Sequence, residues 1–278
     1  MDNKKQGEEL NQLSRLLFDK GARNWYLAIF IELIAGLFGI FAGLSNFSDD
    51  RKLIIAMLGF LLMILSYYLR ISFEDIYDRA ETMRRQSILS EALDWPISSV
   101  QFSDWRLKAG KDILKHFKLK IRSKNYYATH KPTGTRRLLD MISETAFWTR
   151  HLYVRLKDIL IIILVLVVFL SVSFISVSAL SIIPNKMQLQ IVYFVYLFLP
   201  IILSIDLLGW IIKLNRLAGS IKEIEEDLER LSKSKRISIP EIMRLASEYN
   251  CQVTNGFPIH PWMYNLLRNE VTDLWNQR

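Results

Sequence analysis

The chain has 278 residues, 51% of them hydrophobic, a formal net charge of +8 and one cysteine, Cys251. A single cysteine excludes an intramolecular disulfide, and the four histidines (His116, His130, His151, His260) are too scattered to build a zinc site with it. The composition is near that of an ordinary globular protein. What sets the chain apart is distribution, with apolar residues in a few long runs and charges bunched between them.

The opening, MDNKKQGEELNQLSR, is polar, and the first apolar run begins too late and runs too long for a signal peptide. Residues 1–24 read as a cytoplasmic amphipathic helix, with Leu10, Leu13, Leu16 and Leu17 at helical spacing. It is expected to lie on the bilayer interface or on the rest of the protein.

Trp25–Leu44 is a twenty-residue apolar run that begins with an interfacial Trp–Tyr pair and contains Glu32. A carboxylate at that depth should face other helices or water, or be protonated. Gly36, Gly39 and Gly43 form a small-residue stripe suited to close helix packing. After the polar turn Ser45–Lys52, Leu53–Leu69 supplies a second span, so residues 25–71 read as a transmembrane hairpin.

Residues 72–158 read as a basic cytoplasmic region. Counted from Arg70, it carries 18 Lys/Arg against 11 Asp/Glu. Arg70–Gln86 continues the second helix, Pro96 breaks the pattern, and Ser103 is expected to cap a helix running to about Phe117. A basic run, Lys118–Lys124, leads to a loop marked by Pro132 and Gly134. Thr135 then opens a long helix leading into Ile159–Ile183, twenty-five apolar or small residues without a charge. That exceeds the roughly 20 residues a helix needs to cross a bilayer.

A short turn, Pro184–Gln188, precedes a fourth span, Leu189–Ile212, with Pro200 and Asp206 inside it. Residues 159–212 thus form a second hairpin. The C-terminal region 213–278 reads as helical and cytoplasmic. Leu214, Leu217, Ile221, Ile224, Leu228 and Leu231 follow a heptad-like spacing. That stripe suits a coiled coil between subunits and, equally, packing on the chain's own 70–158 region. A helix from about Ser238, a Pro- and aromatic-rich loop and a last helix to about Trp275 complete the chain.

The fold class expected is therefore all-α: four transmembrane helices in two hairpins with a helical cytoplasmic module. Lys and Arg concentrate in the N-terminus and the 70–158 region and are sparse in the short turns. The positive-inside rule then places both termini and the large loop in the cytoplasm.

No nucleophile elbow, HExxH, P-loop or GxGxxG string occurs, so no enzyme is expected. The stretch with chemistry is Tyr126–Arg137, YYATHKPTGTRR. Aromatic faces stack on bases, while Arg, Lys, Thr hydroxyls and the open N–H groups of a helix start suit phosphate. The bland reading is an interfacial loop with its basic residues on lipid headgroups. Glu144 and Trp148, one turn apart on the following helix, are expected to be structural, Glu144 pairing with an arginine.

Tyr126–Tyr127–Ala128–Thr129, Pro132–x–Gly134–x–x–Arg137–Leu138–Leu139 and Glu144–x–Ala146–Phe147–Trp148–Thr149 together resemble the heart of a bacterial family. It is the four-transmembrane effector family associated with SMODS nucleotidyltransferases. The segment Pro258–Ile259–x–Pro261–Trp262–x–Tyr264 and the late Trp275 resemble that family's C-terminal end. Thr133 departs from the pattern, where a second proline is expected.

The resemblance implies an effector of cyclic-oligonucleotide antiphage signalling (CBASS) in the bacterial inner membrane. A cyclic di- or trinucleotide would be the activating ligand, with no other cofactor and no DNA or RNA partner. Self-association into a homo-oligomer would permeabilise the bilayer and arrest the cell. The ligand-binding residues expected are Tyr126, Tyr127, Thr129, Lys131, Thr133, Arg136 and Arg137. The other reading is a ligand-independent oligomeric channel or scaffold, with Glu32 and Asp206 as polar groups along a pore.

Overall fold

The structure, a computed structural model, describes residues 3–45, 47–119, 126–179, 206–254 and 256–278. Among these residues it is all-helical. The helices are α1 (Asn3–Leu44), α2 (Asp49–Leu93), α3 (Ser99–Ala109), α4 (Lys111–Leu119), α5 (Thr135–Ala179), α6 (Leu207–Ser232), α7 (Ile239–Thr254) and α8 (Pro261–Asn276). Three of them, α1, α2 and α5, are long and apolar enough to cross a membrane. The turn Pro184–Gln188 and most of the expected fourth span lie outside the described residues.

Contacts divide the chain into two units. One comprises Met1–Arg23, Phe73–Arg155 and Leu214–Arg278; the other comprises Asn24–Ser72 and Leu156–Lys213. Helices α1, α2 and α5 each contribute residues to both.

In the polar unit, the leucine stripe of α1 is buried. Leu10, Leu13 and Leu17 form a cluster with Ile76, Ala80 and Met83 of α2, Ile97, Phe102 and Ala109 of the α3 region, and Ile113 of α4. Each fully buried leucine contributes about 1.5–3 kcal/mol. The first turns of α1 therefore pack on the protein itself. Gly7 permits this approach, because a Cβ there would stand 2.9 Å from Glu91 Cγ and 3.4 Å from the Ser87 carbonyl.

The start of α3 differs from the expectation. Ser98, not Ser103, is the cap: its hydroxyl accepts from the Gln101 amide at 3.1 Å, and Gln101 reaches back to complete a capping box. Ser103 lies one turn inside and donates to the Ser99 carbonyl at 2.8 Å. Nor does one helix run to Phe117. Gly110, at φ 85°, separates α3 from α4, a conformation open chiefly to glycine.

The leucine–isoleucine stripe of α6 is also settled. Leu214, Leu217, Ile221, Ile224, Leu228 and Leu231 are all buried within the chain. They are therefore not available to a second copy as a coiled-coil seam. On the same buried face Glu225 sits between two arginines, Arg150 Nε at 2.6 Å and the guanidinium of Arg278. That arrangement ties α6 to α5 and to the residues after α8.

In the apolar unit, α1 and α2 run antiparallel. Ser66 Oγ donates to the Ala28 carbonyl at 3.0 Å, and Gly59 lies against the Ala35 carbonyl. The buried small residues of α1 are Ala28, Ala35 and Ala42, seven apart. Of the glycines Gly36, Gly39 and Gly43, Gly39 has open space around it among the described residues. Glu32 is buried and accepts from the Arg70 guanidinium. The pair neutralises a carboxylate that would be costly alone in hydrocarbon.

Candidate ligand-binding cavity

From Tyr126 the segment leading into α5 is held at several points. The Gly134 amide donates to the Ala92 carbonyl at 2.7 Å. Gly134 has φ 146°, beyond the range other residues adopt readily. Asp140, on the first turns of α5, accepts from Thr129 Oγ1 at 2.8 Å and from Lys131 Nζ at 2.9 Å. Arg137 donates to the Lys131 carbonyl at 2.8 Å. Arg136 donates to the Ser234 carbonyl, also at 2.8 Å, and to that of Lys235.

These bonds hold the loop so that Tyr126 and Tyr127 face a cavity of about 520 Å³ in the polar unit. Its size falls within the roughly 300–1,000 Å³ of small-molecule sites. The walls come from α1 (Asn11, Ser14, Arg15, Phe18), α2 (Tyr77, Glu81, Arg84), the loop, α5, and the chain from α7 through α8.

Aromatic side chains dominate the lining. Trp148 stacks on Tyr264 with ring centroids 5.1 Å apart and an interplanar angle of 28°. Tyr126, 42% exposed, lies beneath Arg15, whose guanidinium is 4.5 Å from the ring centroid. Tyr127 is 5% exposed. Tyr153 is buried against Gly256, where an added Cβ would overlap its hydroxyl. Tyr249 is buried, its hydroxyl 2.8 Å from Thr149 Oγ1. Burial pushes the phenols of Tyr77, Tyr127, Tyr153 and Tyr249 upward, so all stay protonated and able to donate.

The charges fall into two groups. Buried Arg84 donates through Nε and Nη2 to Glu81, at 3.1 and 2.8 Å, and through Nη2 to Asn250 at 3.2 Å. Burial, the largest influence, would lower its pKa, but Glu81, Tyr249 and Tyr127 together outweigh it and raise it, so Arg84 is permanently charged. Its Nη1 is buried without a hydrogen-bond partner among the described residues. A buried donor left unmade costs about 1–3 kcal/mol.

Arg15, Arg268 and His130 are exposed lining residues, and no described carboxylate pairs with them. Glu144 also lines the cavity. It accepts from the Ala128 amide at 2.9 Å, not from an arginine as the sequence suggested. Burial raises its pKa, the Ala128 N–H opposes that, and Asp140 adds to the rise.

Of the seven expected ligand-binding residues, then, Tyr126 and Tyr127 line the cavity. Thr129, Lys131, Arg136 and Arg137 are engaged in the loop contacts above, Thr133 is an exposed loop residue, and none of these five lines the cavity. The lining residues that sequence reasoning missed are chiefly Arg15, Arg84, Tyr249 and Arg268, each on a helix that read as charged surface or packing. Glu144, Trp148 and Tyr264 were visible as parts of strings but were assigned no ligand role. No group of His, Cys, Asp or Glu able to hold a metal ion occurs among the described residues.

No protein-family model, curated protein or solved structure matches this chain.

Proposed function

We propose that the protein is a membrane effector switched by a cyclic oligonucleotide that binds in the Tyr126–Tyr127 cavity. The observation that carries this reading is the cavity itself. It combines stacking faces (Tyr126, Trp148, Tyr264) with cations that have no acid partner among the described residues (Arg15, Arg268) and a buried donor, Arg84 Nη1, without a hydrogen-bond partner there. Such a lining suits a ligand that is at once aromatic and polyanionic, as a cyclic di- or trinucleotide is. The string resemblance to the SMODS-associated effectors points the same way.

In this reading the protein sits in the bacterial inner membrane with four spans in two hairpins and both termini cytoplasmic. Ligand binding favours one conformation of the polar unit. The continuous helices α1, α2 and α5 carry that preference to the apolar unit, and copies of the protein together permeabilise the bilayer. Lys131, Arg136 and Arg137 act as positioning residues that hold the loop. A constitutive pore lined by Glu32 draws no support from its pairing with Arg70.

The test is thermal stability of the detergent-purified protein against a panel of cyclic di- and trinucleotides, paired with dye release from proteoliposomes. A ligand at 100 times its Kd stabilises the folded state by about 2.7 kcal/mol. The expected result is a selective shift for one nucleotide, which also triggers release. A well-folded sample that shifts with none of them would overturn the proposal.

A further inference from the structure

The cavity holds one charge that a polyanion should avoid. Glu144 lines it, has no cationic partner among the described residues, and has only the Ala128 amide, at 2.9 Å, as a described donor. A carboxylate offers about four acceptor sites and no donors once ionised. Glu81, the other lining carboxylate, is different, because Arg84 holds it. An uncompensated carboxylate beside incoming phosphates weakens binding, unless the ligand brings donors to it.

The placement of Glu144 shows where those donors would come from. It lies one helical turn before Trp148, on the same face of α5, and Trp148 is stacked on Tyr264. A base stacked beside this aromatic platform would have the Glu144 carboxylate one helical turn away as a nearby acceptor. Arg15 and Arg268, on α1 and α8, are left for phosphate.

Among the common bases only guanine presents two adjacent donors, N1–H and the N2 amine, on one edge. Uracil offers one N–H there between two acceptors, and adenine and cytosine offer a single amino group beside an acceptor nitrogen. We infer that the cavity selects a cyclic oligonucleotide containing at least one guanine, and that Glu144 is the residue that reads its N1–H/N2 edge. This inference rests on the proposed function and adds the base identity to it.

Hydrogen bonds to a charged group are worth about 1.5–3 kcal/mol each, or about 10- to 150-fold in affinity. Sites built to bond a donor reject analogues that lack it by still larger factors. The experiment is calorimetric titration of the full-length protein with cyclic diguanylate, cyclic guanylate–adenylate, cyclic diadenylate, cyclic diuridylate and the inosine analogue of the best guanine ligand.

Guanine-containing ligands should bind at least about 100-fold more tightly than the all-adenine and all-uracil ligands. The inosine analogue, which lacks the N2 amine, should lose about 10-fold or more. Glu144→Gln, which keeps an acceptor for Ala128, should lower guanine-ligand affinity by a similar factor without lowering the melting temperature of the free protein.

An all-adenine or all-uracil ligand that binds as tightly as any guanine ligand would overturn the guanine inference while leaving the effector reading in place. An inosine analogue that binds as well as guanine would do the same without relying on a variant. Failure of a folded sample to bind any cyclic nucleotide would overturn both.

Discussion

Glu91 shows how a single buried side chain sets a pH response. It lies at the end of α2 against Gly7, and Ser87 Oγ donates to it at 3.0 Å. Burial pushes its pKa up to about 6 from an ordinary 4.5; the Ser87 bond lowers it, Glu8 raises it, and Arg137 and Asn11 lower it. Because the folded value lies above the unfolded one, the folded chain binds this proton more tightly. Stability from this group is therefore full below about pH 4.5 and falls as pH rises through 6. A gap of about 1.5 in pKa corresponds to about 2 kcal/mol. Glu91→Gln should raise the unfolding free energy by an amount of that order at pH 7.5 and by almost nothing at pH 4.5. Chemical denaturation in detergent across that range measures it, and equal curves for the two proteins at pH 7.5 would refute the assignment.

At the scale of elements, the pairing of α1 with α2 makes opposite predictions for two glycines. In the polar unit, a Cβ at Gly21 would meet Ile76 Cγ2 and Phe73 Cδ2 at 3.5 Å, an ordinary contact. Gly21→Ala should stabilise by about 0.5–1 kcal/mol, because alanine loses less backbone freedom in a helix. Gly7→Ala meets Glu91 at 2.9 Å and should destabilise by about 1 kcal/mol or more through overpacking. Melting temperatures that moved the same way for both would show that the two glycines do not differ as described.

Part of this pairing was legible and part was overlooked. Gly7, Ser14, Gly21, Ala28, Ala35 and Ala42 recur at seven-residue spacing, a stripe of small residues readable without coordinates. Attention to Gly36, Gly39 and Gly43 missed it, because glycine is the more conspicuous small residue while alanine does the same packing. Long apolar runs and the helix starts at Thr135 and near Ser238 were readable, since hydropathy and capping are local properties, whereas Pro261, which opens α8, read as part of the preceding loop. Ser98 lost out to Ser103 as the cap because both are serines near the break after Pro96. Which one caps α3 depends on the reciprocal bond with Gln101. The cavity was not legible at all beyond its two tyrosines. Its walls come from segments as far apart as Asn11 and Asn276, and no local pattern joins them.

For the whole molecule, the proposed coupling passes along unbroken helix. α5 carries Glu144 and Trp148 at the cavity and continues through Lys157 into its apolar length. Proline at position 157 removes one helical hydrogen bond and crowds the preceding turn, at about 3 kcal/mol. Lys157→Pro should keep the nucleotide-induced thermal shift and lose nucleotide-triggered dye release. Release that survives this break would show that α5 does not carry the signal.

The long-range construction of the cavity also bears on the order in which the proposed effector is assembled. Translation proceeds in one direction, at about 5–20 residues per second. The apolar lengths of α1, α2 and α5 all leave the ribosome before α8, which supplies Tyr264 and Arg268. The cavity is therefore completed only after the apolar lengths of these helices have been synthesised. On the proposed reading, a copy interrupted before Pro261 would carry the apolar helices without Tyr264 and Arg268 and should not respond to a nucleotide.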